Sequence, residues 1–285
     1  MAFFSNKFDG IDYFESINFH HLEFYVGNAK QAREYYKKVF GFSDYAYAGP
    51  ETGVRDRVSY VLRKNKVFYV LTTPLSSNHP ISDWLKKHGD GVYDIAFDVA
   101  SVADAYEGCI NRGAQSAGDL IAIEDENGYF SKASIKSYGD CIHSFINNKK
   151  YSVWAPNFKI VNNPINSVDT KIELIDHVVA NVELEKMDYW KEYYQMIFGF
   201  SAFVRFDETD ISTKYSSLKS VVLRSKNWKV KLPINEPAEG LKKSQIEEYL
   251  DFNEGPGIQH IALLSSDILE TIKVLRNNGL EFLKL

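Results

Sequence analysis

An internal repeat is the feature that most constrains how this chain can fold. Residues 17–42 and residues 172–200 each contain a short apolar strand, an amphipathic helix and a Phe-Gly-Phe turn. The apolar positions recur at helical spacing in both segments. Gly41 and Gly199 stand where each helix should end, a position that favours the left-handed conformation. The sequence therefore predicts two related halves.

A second pair of matching segments lies later in each half. Residues 89–113 and 255–279 both contain a strand followed by a helix that ends at a glycine. Strand-like runs lie between the two pairs of segments, at Val58–Leu62 and Val67–Leu71 in the first half and at Ser220–Leu223 and Lys229–Leu232 in the second. Each half is thus predicted to consist of βαβββ modules, which gives an α+β fold of two tandem domains whose curved sheets enclose a cleft.

The repeat also predicts the domain boundaries. A run rich in Asn, Pro and Ser separates the halves. The first domain is assigned to residues 15–150, the linker to 151–170 and the second domain to 171–285. Strand-like segments follow Gly113 in the first half, whereas only the residues up to Leu285 follow Gly279 in the second. The second domain is therefore expected to be incomplete, without its closing strands.

Composition excludes several classes of function. The chain has 285 residues, is 45% hydrophobic and carries a net charge of −5. It can bury a core, and its charge argues against the clustered basic surface that nucleic acid requires. No apolar run reaches the ~18 residues of a membrane-spanning helix, the N-terminal segment lacks the apolar core of a signal peptide, and two cysteines are too few for a disulfide framework. A cytoplasmic protein with no nucleic-acid or membrane partner is expected.

Two histidines in the second half are the main candidates for chemistry. His177 lies in LIDHVVANV and His260 lies in GIQHIALLS, each in mid-strand between apolar neighbours. A single histidine in that setting is more often a hydrogen-bonded core residue than a metal ligand. Two histidines at corresponding ends of one repeat instead favour a metal ion that both of them bind. Two histidines and one carboxylate form the facial triad of non-haem Fe(II) oxygenases, which leaves positions open for substrate and O₂.

The first half differs at the corresponding positions. His21 corresponds to His177, but Asp94 takes the place of His260, and His143 stands on the strand that would supply a third group. A vestigial or active metal site there stays open as an alternative, and Asp94 could equally accept a hydrogen bond within the fold. Because an aspartate replaces the second histidine, we expect the first-half cleft to be metal-free and largely filled by side chains.

Polar side chains gather near His260. They are Ser220, Asn235, Gln245 and Gln259, in the segments LKSVVL, KLPINEP and KKSQIEEYLDFNEGPGIQH. The simplest interpretation is a strand, a turn and a solvated helix capped by Ser244. That interpretation does not explain why amides and hydroxyls concentrate here, and such groups would suit a polar organic substrate in an otherwise apolar pocket.

The same segments resemble a known family. DHVVANV, YSSLKSVVL, LPINEPAEGLKKSQIEEYLDFNEGPGIQHIAL and GLEFL resemble the C-terminal catalytic domain of the 4-hydroxyphenylpyruvate dioxygenase family, two-domain non-haem iron enzymes of the vicinal-oxygen-chelate superfamily. FHHLEFYVGNAKQAREYY and the GVYDIAFDV block resemble the non-catalytic N-terminal domain of that family. The resemblance covers about residues 15–285 and implies tandem vicinal-oxygen-chelate domains.

The resemblance implies an Fe(II)-dependent oxidoreductase that converts 4-hydroxyphenylpyruvate and O₂ to homogentisate and CO₂ in tyrosine and phenylalanine catabolism, as a homodimer or homotetramer. It implies two iron ligands, His177 and His260, and five substrate-binding residues, Ser220, Pro233, Asn235, Gln245 and Gln259. Successive strand residues point to opposite faces, so Gln259 and His260 both face the site only if the strand bends there. The third ligand of the family, a glutamate in a motif such as Phe-Leu-Glu-Ile, has no counterpart here, nor has its C-terminal helix. A truncated chain with little or no turnover is therefore expected.

Three alternatives stay open. 4-Hydroxymandelate synthase uses the same substrate and metal but oxidises the side chain. An extradiol dioxygenase or a glyoxalase-like enzyme shares the module but would not require the PINEP and KSQI stretches. A ligand-binding protein of the same superfamily would bind a small molecule without turnover and without redox-active iron.

Overall fold

A computed structural model describes residues 9–161, 168–206, 218–238 and 243–283. In the first half the elements are β1 (Asn18–Tyr25), α1 (Ala29–Phe40), β2 (Ser43–Ala48), a 3-10 turn (Pro50–Thr52), β3 (Arg57–Lys64), β4 (Val67–Pro74), α2 (Pro80–His88), β5 (Gly91–Asp98), α3 (Val102–Asn111), β6 (Ser116–Asp125), β7 (Gly128–Lys136), β8 (Ile142–Tyr151) and β9 (Lys159–Ile160). In the second half they are β10 (Ile172–Asn181), α4 (Met187–Ile197), β11 (Ser201–Phe206), β12 (Leu218–Arg224), β13 (Lys231–Pro237), α5 (Gln245–Phe252), β14 (Gly257–Ser265) and α6 (Ile268–Asn277). Three of the strand runs read from the sequence fall on β3, β4 and β12, whereas Lys229–Leu232 overlaps β13 only at Lys231 and Leu232.

The described strands form two sheets. The first has the order β6-β7-β8-β5-β1-β4-β3-β2-β9, and the second has the order β11-β12-β13-β10-β14. The predicted α+β architecture is confirmed. Strand β9 lies within the predicted linker and pairs with β2, so part of that segment extends the first sheet. Within the described ranges, every helix is too short or too polar to serve as a membrane span.

The same strand pairing recurs in both halves. Strand β1 pairs in parallel with β4 and antiparallel with β5, and β10 pairs in parallel with β13 and antiparallel with β14. Gly41 and Gly199 follow helices α1 and α4 with φ angles of 71° and 70°, which confirms the predicted left-handed turns. We use "cleft face" for the face of each sheet that carries His21 in the first half and His177 in the second.

One apolar core joins the two halves on the other face of the sheets. The rings of Phe97 in the first half and Phe198 in the second have centroids 5.9 Å apart. The guanidinium of Arg112 donates a hydrogen bond of 2.9 Å to the carbonyl oxygen of Ile197 across the same boundary. The ends of α3 and α4 therefore meet at this boundary, and the cleft faces lie on the opposite side of the sheets from the shared core.

His143 belongs to this core, which contradicts the alternative in which its strand supplies it as a third group to a metal site in the first-half cleft. It is fully buried, with Nε2 2.6 Å from the hydroxyl of Tyr194 and Nδ1 3.3 Å from the carbonyl oxygen of Ile95. Side chains alternate along β8, so its neighbour Ser144 reaches the cleft and bonds Asp94 instead. Burial lowers the pKa of His143 to about 3, and a neutral histidine with structural hydrogen bonds results.

Candidate metal and substrate site

His177 on β10 and His260 on β14 share the cleft face of the second sheet. In the antiparallel register Val179 lies opposite His260, and Val179 and His177 point to the same side because they are two residues apart. The two imidazole centroids are 6.2 Å apart. That separation is compatible with one metal ion bound at ~2.0–2.1 Å to a nitrogen of each ring.

A β-bulge before His177 sets the orientation of its ring. The pairing shifts between Ile175 and His177, which leaves Asp176 as the extra residue. Its Oδ2 lies 2.7 Å from Nδ1 of His177, and its Oδ1 accepts a hydrogen bond of 2.6 Å from Nζ of Lys231. Burial alone would raise the pKa of Asp176, but Lys231 and His177 outweigh it and lower that pKa. A carboxylate that accepts from Nδ1 leaves Nε2 as the nitrogen available to a metal.

A second bulge precedes His260. Val179 pairs with His260 and the next residue of β10 pairs with Ile258, so Gln259 is the extra residue on β14. Its Oε1 lies 2.9 Å from Nδ1 of His260. The bulge thus bends the strand at Gln259, which is the bend required for Gln259 and His260 to face the same site. Burial, and then the nearby His177, lower the pKa of His260.

Three further polar residues lie on the cleft face of the second sheet. Ser220 and Asn235 are directly opposite each other on β12 and β13, and both are buried. Asn235 pairs with Asn181 at the end of β10, with Nδ2 of Asn235 3.4 Å from Oδ1 of Asn181. Within the described residues, Nδ2 of the fully buried Asn181 has no hydrogen-bond partner. An unsatisfied buried amide costs about 1–3 kcal/mol, so a ligand that supplies an acceptor would be stabilised here.

The two remaining predicted substrate residues differ in their placement. Pro233 lies two residues before Asn235 on β13 and shares its face. Gln245 is the first residue of α5 and is exposed, and no hydrogen bond joins it to the histidines in the described part of the chain. Ser244 caps that helix as predicted, because its hydroxyl accepts from the backbone of Glu247 at 3.2 Å. The structure brings together the strand residues and leaves Gln245 at the rim.

The first half repeats this arrangement with different side chains. The pairing of β1 with β5 shifts at two places, which leaves His20 on β1 and Tyr93 on β5 as the extra, bulged residues. His20 directly precedes His21, and Tyr93 directly precedes Asp94. The cleft face there is open, because His20, His21 and Tyr93 line a cavity of about 770 Å³. The expectation that this cleft is largely filled is therefore wrong.

Asp94 lies beside His21 and Glu23, two residues that line the first-half cleft. It is fully buried, and it accepts a hydrogen bond of 3.0 Å from the backbone nitrogen of Ser144 and another from the Ser144 hydroxyl. The prediction that it accepts hydrogen bonds within the fold is confirmed. Burial raises the pKa of Asp94 to about 6, although Lys132 and Ser144 act in the opposite direction.

Sequence reasoning missed four residues at these two sites. They are Asp176, Lys231, Asn181 and Glu23. Asp176 directly precedes His177, Asn181 ends the same strand, and Lys231 bonds Asp176 from β13. An Asp-His pair in an apolar strand is a signal that could have found Asp176. Among the described residues, no third histidine, cysteine or acidic side chain joins His177 and His260 within ligand distance.

Comparison with known proteins places the chain in a family. Residues 174–284 match the family model described as "Glyoxalase/Bleomycin resistance protein/Dioxygenase superfamily". The 4-hydroxyphenylpyruvate dioxygenase of Dictyostelium discoideum is 42% identical over 272 residues, which cover 93% of this chain and 74% of the relative. The enzyme of the same name from Aspergillus fumigatus is 41% identical over 285 residues, with 93% and 71% covered.

Solved structures support the same fold. A triple mutant of 4-hydroxymandelate synthase from Streptomyces coelicolor superposes with a TM-score of 0.84 at 24% identity and covers 94% of this chain and 76% of its own. A xylose isomerase-like TIM barrel/4-hydroxyphenylpyruvate dioxygenase fusion protein superposes with a TM-score of 0.68 at 18% identity, covering 92% of this chain and 39% of its own. The curated relatives are dioxygenases, and their chemistry implies a metal cofactor. On its sequence, this chain belongs to the 4-hydroxyphenylpyruvate dioxygenase family of oxidoreductases.

Proposed function

We propose that the protein converts 4-hydroxyphenylpyruvate and O₂ to homogentisate and CO₂, with Fe(II) bound by His177 and His260. In this proposal residues 171–285 form the catalytic domain and residues 15–150 a non-catalytic N-terminal domain. One observation carries it: each histidine is held at Nδ1 by the bulged residue before it, on the face that also carries Ser220. Two imidazoles are ligands that suit iron.

The donor set fits a divalent metal. Asp176 accepts from Nδ1 of His177, and Lys231 in turn holds Asp176, so rotation of the ring would break a charge-assisted contact with a carboxylate that is itself held in place. Gln259 plays the corresponding role for His260. When bound, the iron supplies the redox chemistry and a common binding place for O₂ and the 2-oxo acid group. The protein's own contribution at this point is orientation of the two rings.

Substrate recognition falls to the neighbouring strands. Nδ2 of Asn181 lacks a partner among the described residues, and the hydroxyl of Ser220 and the amide of Asn235 lie on the same face. These groups can donate to the oxygens of a hydroxylated aromatic oxo acid. Pro233 and Val179 supply apolar surface for its ring. Binding by three strands fixes the substrate relative to the histidines, and such fixation accounts for a large part of a rate enhancement.

The number of protein ligands sets the expected rate. The described residues offer two metal ligands in the second half and no carboxylate with them. We therefore expect weak iron binding and slow turnover by the 285-residue chain. A small carboxylate such as acetate should take the third position and raise the rate in a saturable manner, because it restores both the anionic charge and the ligand count.

The test is product analysis with the full 285-residue chain. Fe(II), 4-hydroxyphenylpyruvate and O₂ should give homogentisate and an equal amount of CO₂, increased by acetate and lost in His177→Ala/His260→Ala. Asn235→Ala and Gln245→Ala should lower the rate by about 5- to 150-fold, the cost of one oriented hydrogen bond, while iron content stays close to that of the unmodified chain. Formation of 4-hydroxymandelate would assign the alternative reaction. Absence of product with iron and acetate bound would contradict the proposal.

A further inference from the structure

Three potential metal ligands converge in the first-half cleft. One ring nitrogen of His21 and one carboxylate oxygen each of Glu23 and Asp94 lie within 4.8 Å of one another. His21 and Asp94 are buried and Glu23 is half-buried, so the cluster is not a group of solvated surface acids. Two carboxylates beside a neutral imidazole carry two negative charges, which a divalent cation would neutralise.

Each of the three side chains is held by an outer partner. The hydroxyl of Thr72 donates to Oε1 of Glu23 at 2.6 Å, and Ser144 donates to both oxygens of Asp94. Nδ1 of His20 lies 2.7 Å from Nδ1 of His21. Hydrogen bonds from outer partners to the ligand side chains are typical of metal sites, where they orient the ligands.

The partners of His20 determine which nitrogen of His21 is available. Nε2 of His20 lies 3.1 Å from Oδ1 of Asn148, an atom that can only accept, so Nε2 of a neutral His20 carries the proton. Its Nδ1 is then an acceptor, and Nδ1 of His21 donates to it. The His21 side chain is buried, with 5% of its surface exposed. Its Nε2 has no hydrogen-bond partner in the described part of the chain and carries a lone pair.

The internal repeat places this cluster where the second half places its histidines. His21 lies opposite Ala96, and Glu23 lies opposite Asp94. In the second half His177 lies opposite Ala262, and Val179 lies opposite His260. His21 and Asp94 therefore take the positions of His177 and His260. Glu23 adds a carboxylate where the second half has Val179.

We propose that His21, Glu23 and Asp94 bind a divalent transition-metal cation in the first-half cleft, separate from the iron proposed for the second half. One imidazole and two carboxylates form a site of the Mn(II) or Fe(II) type. His21 and Glu23 line a cavity of about 770 Å³, so solvent or a small ligand could reach an ion bound there. The ammonium group of Lys132 competes with a bound cation for the carboxylate of Asp94. Its Nζ lies 4.0 Å from Oδ2 of Asp94, and its side chain is 35% exposed.

Mn(II) binding to the full-length chain tests this proposal. The second site is removed by His177→Ala/His260→Ala, and free Mn(II) is measured by electron paramagnetic resonance during a titration. This variant should retain one Mn(II) per chain. Adding Glu23→Gln or Asp94→Asn should weaken binding by more than ~10-fold, since a lost ligand costs at least as much as a lost outer partner.

Two further variants serve as controls. Asp83→Asn removes a carboxylate that lines the same cleft outside the cluster, and it should leave Mn(II) affinity within about twofold, as expected for a screened distant charge. Lys132→Met should strengthen binding by at least about fivefold, because a cation close to the site is removed. Circular dichroism confirms that each variant folds. If Glu23→Gln does not fold, Glu23→Val replaces it, because valine is the residue at the corresponding position of the second half. Loss of all Mn(II) binding in His177→Ala/His260→Ala, or unchanged affinity in the folded Glu23 variant, would overturn the proposal.

Discussion

The two halves of this protein use one backbone plan to present two different sets of donor atoms. In each half a pair of antiparallel strands carries two bulges at matching positions, and a candidate ligand directly follows each bulge. The second half has histidines at both positions. The first half has His21 and Asp94, with Glu23 as a third donor two residues after the histidine. Val179 stands at that place in the second half, which therefore has no third donor at this position.

The bulged residue influences each metal-binding position as much as the ligand that follows it. A bulged residue lies beside the next side chain, and it can bond Nδ1 of a following histidine. Asp176 does so with a charge, and His20 does so as a neutral group. Burial lowers the pKa of His20 to about 4. The same backbone device therefore makes a more electron-rich imidazole in the second half than in the first.

An exchange of Glu23 and Val179 tests whether the two faces are equivalent. Val179→Glu should raise the Mn(II) affinity of the second half by more than ~100-fold, because a ligating carboxylate contributes more than the 10- to 100-fold of an outer partner. Glu23→Val should lower the affinity of the first half by a similar factor. Each variant is titrated in a chain whose other site has been removed.

The size-matched control for this exchange is Val179→Gln, which has the shape of glutamate without its charge. It should leave the affinity of the second half within about threefold, since an amide oxygen adds no net charge to the site. If Val179→Glu folds and binds Mn(II) no more tightly than Val179→Gln, then the faces are not equivalent, and the correspondence between Glu23 and Val179 has no chemical meaning.

A smaller effect should separate the two bulged residues. Asp176→Asn keeps the shape and an acceptor oxygen but removes the charge, so the metal affinity of the second half should fall by ~10- to 100-fold. His20→Gln exchanges one neutral acceptor for another and should change the affinity of the first half by less than about threefold. Asp169→Asn is the matched control, because Asp169 forms an ion pair with Lys171 but contacts neither site. Equal losses in Asp176→Asn and His20→Gln would show that charge at the bulge is unimportant.

Much of the fold could be predicted because the repeat constrains strands and helices independently of tertiary contacts. Gly41 and Gly199 end their helices as the pattern indicates, and Ser244 caps α5. His177 and His260 could be selected from their matching positions alone. The bulges that place their Nδ1 partners could not be predicted, because a bulge is one extra residue in a strand and nothing in the local sequence marks it.

The errors in the first half have the same origin. Moving a strand by one residue exchanges the faces of all its side chains, so the sequence could not tell whether His143 or Ser144 faces the cleft. Glu23 was overlooked because it reads as a polar residue in an apolar strand, and only the pairing of β1 with β5 places it opposite Asp94. The volume of the cleft depends on side chains from several strands and on α2, which no local pattern specifies.

His143 differs from the candidate ligands because it is a structural histidine of the core. It is buried as a neutral ring against the hydroxyl of Tyr194, and Tyr138 is the other titratable side chain that packs on it. Burial lowers its pKa from the usual 6.5 to about 3. Between these values the unfolded chain binds more protons than the folded one. The stability that His143 contributes is therefore complete above about pH 6.5 and is lost as the pH falls toward about 3.

We expect this one residue to cost about 1.4 kcal/mol of unfolding free energy for each pH unit below about 6.5. His143→Gln keeps an acceptor for Tyr194 and removes the titration, so its stability should fall less steeply with pH than that of the unmodified chain. Tyr194→Phe removes the hydrogen bond but leaves the histidine buried, and it should keep the steep dependence. Urea unfolding at pH 7 and pH 5 measures both slopes, each variant being compared with itself. If His143→Gln and the unmodified chain lose the same stability over that interval, the charge on His143 is tolerated in the core, and the interface between the halves is more accessible to water than its packing indicates.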